Sequence, residues 1–281
     1  MNEVAVLFGP DESLVGVYTP AEGGGDLCCL LSNAGLMPRM GPNRLNVKIA
    51  RELARQGVST LRFDLAGLGD SKANTSAVSW RDQAVQDIRS AMDFATQRFG
   101  QRRFVIFGIC SGAENALNAS LADERVIASF MVDGFWYRSI WTRPVQWFNR
   151  IRKLTPSRVM RGIRRRVRSR GSPSTEEQNL EFFPGEESAN PPREVYAKTM
   201  NALAARGTRI FVLYTNAAAD YVSYSNQLRD AFRGEPFARH IGSELIMDID
   251  HTAVPIAAQR RMIFMFTDWV RGNVPGASRP V

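Results

Sequence analysis

Two rhythms of apolar and polar positions run along the 281-residue chain, and the switches between them predict its elements. Short runs rich in β-branched, aromatic or aliphatic residues at 3–8, 13–19, 27–31, 58–63, 126–132, 208–214 and 244–249 predict strands. The run Phe104-Val105-Ile106-Phe107 predicts another. The first two flank Gly9-Pro10-Asp11 and predict a hairpin, whereas residues 27–31 are apolar throughout, as in a buried parallel strand. Helical spacing fills the intervals. One helix is predicted up to Gln56, capped by Gly57. Another covers 80–99, with Ala84, Val85, Ile88, Met92 and Ala95 on one face. Others are predicted after Ala113, over 195–205, from Asp220 to Phe232, and over 255–272. An antiparallel start followed by repeated strand–helix units predicts an α/β chain, with a mostly parallel sheet covered by helices on both faces. Chemistry in such sheets gathers beyond the carboxyl ends of the strands.

One stretch organises the rest. The apolar run from Phe104 ends in Gly108-Ile109-Cys110-Ser111-Gly112, and an Ala-rich helical stretch follows. A strand that turns sharply into a helix forces its apex residue into strained geometry, and glycines two positions either side relieve the crowding. Cys110 has that glycine frame. Ser111, flanked at the same offsets by Ile109 and Ala113, does not. The pattern predicts a nucleophile elbow with Cys110 at its apex.

A thiol attacks as thiolate, so Cys110 needs a base and positive surroundings. The chain has two histidines. His240 lies in a polar loop before the last strand. His251 follows that strand, where the order nucleophile, acid, histidine places the base. Asp220 follows the penultimate strand and ranks first as the acid that orients the imidazole. Asp133, at the end of the strand after the elbow helix, is the alternative. Asp250 is too close to His251 in sequence to reach around the ring. The oxyanion hole is expected to combine the Ser111 N–H with that of Gly35 or Leu36. Asn33, Arg39, Arg44, Glu114 and Trp136 are candidate substrate contacts. Asn33 is equally suited to bracing its turn, Arg39 and Arg44 to pairing with Asp64 or Asp70, and Glu114 to tuning Cys110. No Cys/His spacing suggests zinc, and no cofactor is expected.

The stretches Asn33-Ala34-Gly35, Arg39-Met40-Gly41-Pro42-Asn43-Arg44, Leu61 to Ser71, Gly108 to Ala113 and Asp250-His251-Thr252 resemble the exosortase A system-associated α/β-hydrolases. The resemblance runs from about residue 27 to residue 270. It implies an α/β-hydrolase fold with a cysteine at the elbow, and it places nucleophile, acid and base at Cys110, Asp220 and His251. It does not imply a substrate. Glu114 and the length of the basic run described below depart from the pattern.

Charge changes the picture at one place. The formal net charge is +8, yet residues 138–170 hold twelve Arg and Lys and no acid; without them the charge would be −4. The strand–helix alternation lapses between residues 135 and 194, which predicts a basic, aromatic-rich lid inserted into a core formed by 1–134 and 195–281. Two partners suit it: an acidic acyl carrier protein, or an anionic membrane surface. Nucleic acid suits it less, since no recognition fold is present. The N-terminus reads as neither signal peptide nor anchor, so a cytoplasmic protein, peripheral to a membrane in the second case, is expected.

The expected activity is acyl transfer, cyclisation or hydrolysis through a Cys110 thioester, with a carrier- or CoA-bound acyl group leading. A small-molecule ester or lactone hydrolase of dienelactone type is the enzymatic alternative. An accessory protein binding acyl chains or carrier proteins is the other.

Overall fold

The computed structural model describes residues 2–74, 78–152 and 190–277. Eight strands form one sheet in the order β1-β2-β4-β3-β5-β6-β7-β8. They are β1 (Val4–Phe8), β2 (Leu14–Thr19), β3 (Leu27–Leu31), β4 (Ser59–Phe63), β5 (Arg103–Ile109), β6 (Val126–Val132), β7 (Arg209–Tyr214) and β8 (Gly242–Leu245). β1, β2 and β4 pair antiparallel, and every pair from β4 through β3 to β8 is parallel. The α/β-hydrolase fold read from the sequence is therefore the fold observed.

Seven α-helices are described: α1 (Leu45–Arg55), α2 (Trp80–Phe99), α3 (Ser111–Ala122), α4 (Thr142–Arg152), α5 (Arg193–Ala205), α6 (Gln227–Ala231) and α7 (Ile256–Asn273). Local chemistry sets their ends and faces. Ser79 caps α2 by accepting the Asp82 N–H, and Gly100 closes it at φ 71°. Ala84, Ile88, Ala91, Met92 and Ala95 form its buried stripe. In α7 the buried stripe is Ala258, Met262, Phe266 and Val270, spaced four apart.

The period-2 alternation of β5 divides the core into two layers. Phe104 and Ile106 pack with α2, α3 and α5 on one face; Val105 and Phe107 pack with α1 and α7 on the other. Phe130 of β6 is central to the second layer, with ring centroids 4.9 to 5.9 Å from Phe107, Phe211, Phe266 and Trp269.

Two expectations shift. β8 covers four residues and ends before Ile246, not at 249. Ile246 and Ile249 are three positions apart and bury into the same layer, which a continuing strand would forbid by sending them to opposite faces. The helix expected from Asp220 shrinks to α6, because Gln227 ties the preceding loop by donating to the carbonyls of Tyr221 and Tyr137 and accepting from Ser223. Of the expected lid, residues 135–152 and 190–194 are described. The Arg158 to Arg170 run and the polar connection after Gly171 lie outside the described residues. No helix among the described residues is long and apolar enough to cross a membrane.

Phe130→Ala should remove the aromatic contact shared by β5, β6, β7 and α7. An expected loss of ~3–5 kcal/mol is readable by urea unfolding; a loss below ~1 kcal/mol would contradict the packing described.

Candidate active site

β5 delivers Cys110 to its apex at φ 56°, ψ −120°, and α3 begins at the next residue. Both glycines of the frame are sterically required. A Cβ on Gly108 would sit 2.1 Å from the Gly112 carbonyl oxygen, and one on Gly112 would sit 2.8 Å from that of Asn33. The Cys110 N–H donates to Val132 O at 2.9 Å, tying the apex to β6. Cys110 is exposed, whereas Cys28 and Cys29 are fully buried in β3, where burial pushes their thiols up.

His251 lies in a turn built by its neighbours. The Asp250 carboxylate accepts from the Thr252 and Val254 N–H groups and the Thr252 hydroxyl, and Asn43 donates to Thr252 O across from the start of α1. The ring faces two partners. Its Nδ1 is 2.7 Å from Asp133 Oδ2, and the ring also interacts with the Cys110 thiol. Asp133 is nearly buried and also accepts the N–H of Thr215 at 2.7 Å and its hydroxyl at 2.6 Å.

The structure sets Asp133, the alternative, against the His251 ring, and not Asp220, the first choice. The parallel register pairs Val132 with Leu213, and Asp133 N–H donates to Leu213 O, so Asp133 emerges beside the end of β7. Past Tyr214 the chain turns through a short 3-10 segment over Asn216–Ala218, and Asp220 beyond it is exposed. Thr215 went unnoticed in the sequence. Its signal was positional: a hydroxyl residue one step beyond the strand that neighbours Asp133. His240 precedes β8, at the opposite edge of the sheet from Cys110.

The ionisation of the two reacting side chains is coupled. Hydrogen bonding to Asp133 and then to Cys110 raises His251 to about 10 despite its burial. The His251 hydrogen bond, helped by the Ser111 N–H, lowers the Cys110 thiol below its usual range against the opposing effect of burial. The arrangement favours the thiolate and the charged imidazole over their neutral forms.

The loop after β3 is braced rather than open. The fully buried Asp64 carboxylate accepts from Asn33 Nδ2 at 3.0 Å and from the Arg39 backbone N–H, and it pairs with the Arg39 guanidinium. Arg39 also meets Asp70 at 2.7 Å. Asn33 is buried and returns a bond by accepting Leu65 N–H at 2.7 Å. Both residues are thus held inside the loop rather than presented to a ligand. Gly35 N–H donates to Ser111 Oγ at 3.0 Å, so this amide is already engaged. Leu36 is exposed, as is Arg44 at the start of α1. Glu114 pairs with Arg81, and Trp136 stacks on Tyr221 at 4.2 Å while Asn190 bonds both its backbone N–H and its carbonyl. Among the described residues no group of His, Cys, Asp and Glu is arranged to hold a metal ion.

The model of one hydrolase family, described as serine aminopeptidase S33, matches residues 43–183, just over half of the chain. The chain belongs to that family. No curated protein matches this S33-type hydrolase in sequence. Solved structures do resemble it. The α/β hydrolase GrgF from Penicillium is 15% identical with a TM-score of 0.55, covering 97% of this chain and 99% of its own. The Pyrococcus furiosus esterase PF2001 is 12% identical with a TM-score of 0.58, covering 97% and 90%. A dienelactone hydrolase from Anabaena variabilis is 13% identical with a TM-score of 0.54, covering 97% and 98%. At such identities the likeness concerns the fold alone. The family is named for a serine, and this S33-type hydrolase carries Cys110 at the elbow.

With Cys28 and Cys29 buried, iodoacetamide should report on Cys110. The native protein should alkylate at lower pH than an unperturbed thiol, its rate falling only as acid protonates the thiolate. His251→Ala should move that profile to higher pH, and Asp133→Asn should move it less. Asp220→Asn should leave it in place. A native profile centred on the usual thiol value would contradict the ion pair.

Proposed function

We propose that this S33-type hydrolase cleaves or transfers acyl groups of esters or thioesters through a covalent thioester on Cys110. The observation that supports this reading is the line Cys110–His251–Asp133, with an exposed sulfur at the strained apex and a buried carboxylate behind the ring.

The steps follow from the ionisation. The Cys110 thiolate attacks the acyl carbon, and the carbonyl π electrons move to oxygen. The Ser111 N–H, which faces the sulfur at the start of α3, stabilises that oxyanion. As the tetrahedral centre collapses, the bond to the leaving alkoxide or thiolate breaks and the His251 imidazolium gives it a proton. The neutral ring then takes a proton from water or from an amine or alcohol acceptor, whose attack on the thioester releases product and restores the thiolate–imidazolium pair. Asp133 keeps Nδ1 protonated and the ring in place through the cycle. Thr215 in turn fixes the carboxylate.

Thioesters exchange readily with a cysteine thiolate, so carrier- or CoA-bound acyl groups lead as donors, with small esters and lactones as the rival class. Incubation with a panel of both, followed by intact mass, is expected to give a Cys110-bound acyl adduct or turnover. Cys110→Ala should abolish the adduct and lower turnover at least ~10³-fold. Asp133→Asn should cost ~10²–10⁴-fold in kcat, and Asp220→Asn nothing. Full turnover by Cys110→Ala on every donor would sink the proposal.

A further inference from the structure

Helix α4 is inside out. Thr142, at its start, is 1% exposed and Gln146 is half-buried, whereas Trp147, Phe148 and Ile151 are 66%, 59% and 43% exposed. At about 100° per residue, positions 144, 147, 148 and 151 share one side, and that side faces away from the protein. Ile140 and Trp141, which lead into the helix, are also exposed. A helix whose only task was to pack on the core would turn these residues inward. Scattered apolar residues on a surface need no explanation; five large ones within twelve residues do.

The helix is nonetheless anchored. The Ser139 N–H donates to Thr142 Oγ1, and Ser139 Oγ lies 2.6 Å from Tyr224 OH, which donates to Asp230 at 3.0 Å. Just upstream, the Trp136–Tyr221 stack and the Asn190 clasp hold the chain that leads from Asp133. The outward apolar face is therefore held on an anchored stretch of chain.

Charge identifies what would cover it. Arg138, Arg143 and Arg152 are exposed around this face, and the stretch 138–170 contributes twelve cations without an acid to a chain otherwise net negative. Tryptophan, phenylalanine and isoleucine on one face with arginines beside them is the composition of a helix lying in the plane of a membrane interface. There the rings enter the headgroup region and the guanidiniums meet lipid phosphates. We propose that α4 docks this protein onto an anionic lipid bilayer, as a peripheral contact. An acidic protein is the rival occupant of the same face, and the vesicle test below separates the two. Docking does not depend on the catalytic reading, but α4 begins nine residues after Asp133 in the chain. A docked protein would thus meet acyl lipids close to the elbow.

The test uses the full chain and sedimentation with two kinds of vesicle: phosphatidylcholine alone, and phosphatidylcholine mixed with phosphatidylglycerol. Binding is expected to the mixed vesicles only, with a blue shift of tryptophan emission. The combined variant Trp147→Asp, Phe148→Asp, Ile151→Asp should weaken that binding at least ~10-fold. Its circular dichroism and its turnover of a short soluble ester should be unchanged. Leu121→Asp, placed at an exposed apolar residue on α3, should bind as the native protein does. The Cys110→Ala variant should bind normally too, which separates this proposal from the catalytic one. Equal sedimentation of native and combined variant would reduce the contact to charge adsorption and overturn the proposal, as would absence of binding to the mixed vesicles. Capture of an acidic acyl carrier protein that the triple substitution abolishes, with vesicle binding intact, would overturn it in favour of a protein partner.

Discussion

The site depends on the backbone approach between Gly108 and Gly112. The carbonyl of Gly112 occupies the space that any side chain at 108 would need, and the carbonyl of Asn33 does the same for residue 112. The turn from β5 into α3 is thereby drawn against the loop after β3, which is distant in sequence. The unfavourable φ of Cys110 persists because these contacts leave it no relaxed alternative. Without that approach, the sulfur would not stand clear of the sheet with the amide of Ser111 beside it.

Electrostatics completes what sterics begins. A buried carboxylate is costly unless its oxygens are satisfied, and Asp133 satisfies them with two bonds from Thr215 and one from His251. The imidazole is thereby held charged and turned toward the thiol. A second buried carboxylate, Asp64, solves the same problem in the loop after β3 by gathering Asn33, Arg39 and Asp70 N–H. Two internal carboxylates thus brace the surroundings of Cys110, one behind the histidine and one within the loop after β3.

Much of this was legible in the sequence, and the reasons differ by element. The strands and helices carried clear periods, and the glycine frame singled out Cys110 over Ser111. The position after the last strand singled out His251 over His240. The acid was harder. Asp220 and Asp133 both follow strands, and the choice depends on register and on the turn after Tyr214, neither of which a linear pattern encodes. Asn33 and Arg39 were read as ligand contacts with bracing as the alternative; only the position of Asp64, thirty-one residues from Asn33, decides between the two. Thr215 escaped because its role exists only through a neighbour on another strand. The end of β8 was misplaced because Ile246 to Ile249 is apolar enough for a strand but spaced for a turn.

The position of the acid on β6 divides labour in the rest of the chain. Beyond Thr215, the segment that leads from β7 to α6 keeps one tie to the turn that carries His251, the Asn216 N–H donating to Ile249 O at 3.0 Å. Its Tyr221 is exposed and stacks on Trp136, three residues past Asp133. Past Asn216 the segment bears on Trp136 rather than on Cys110, His251 or Asp133, so changes in it and changes in those three side chains are inherited separately.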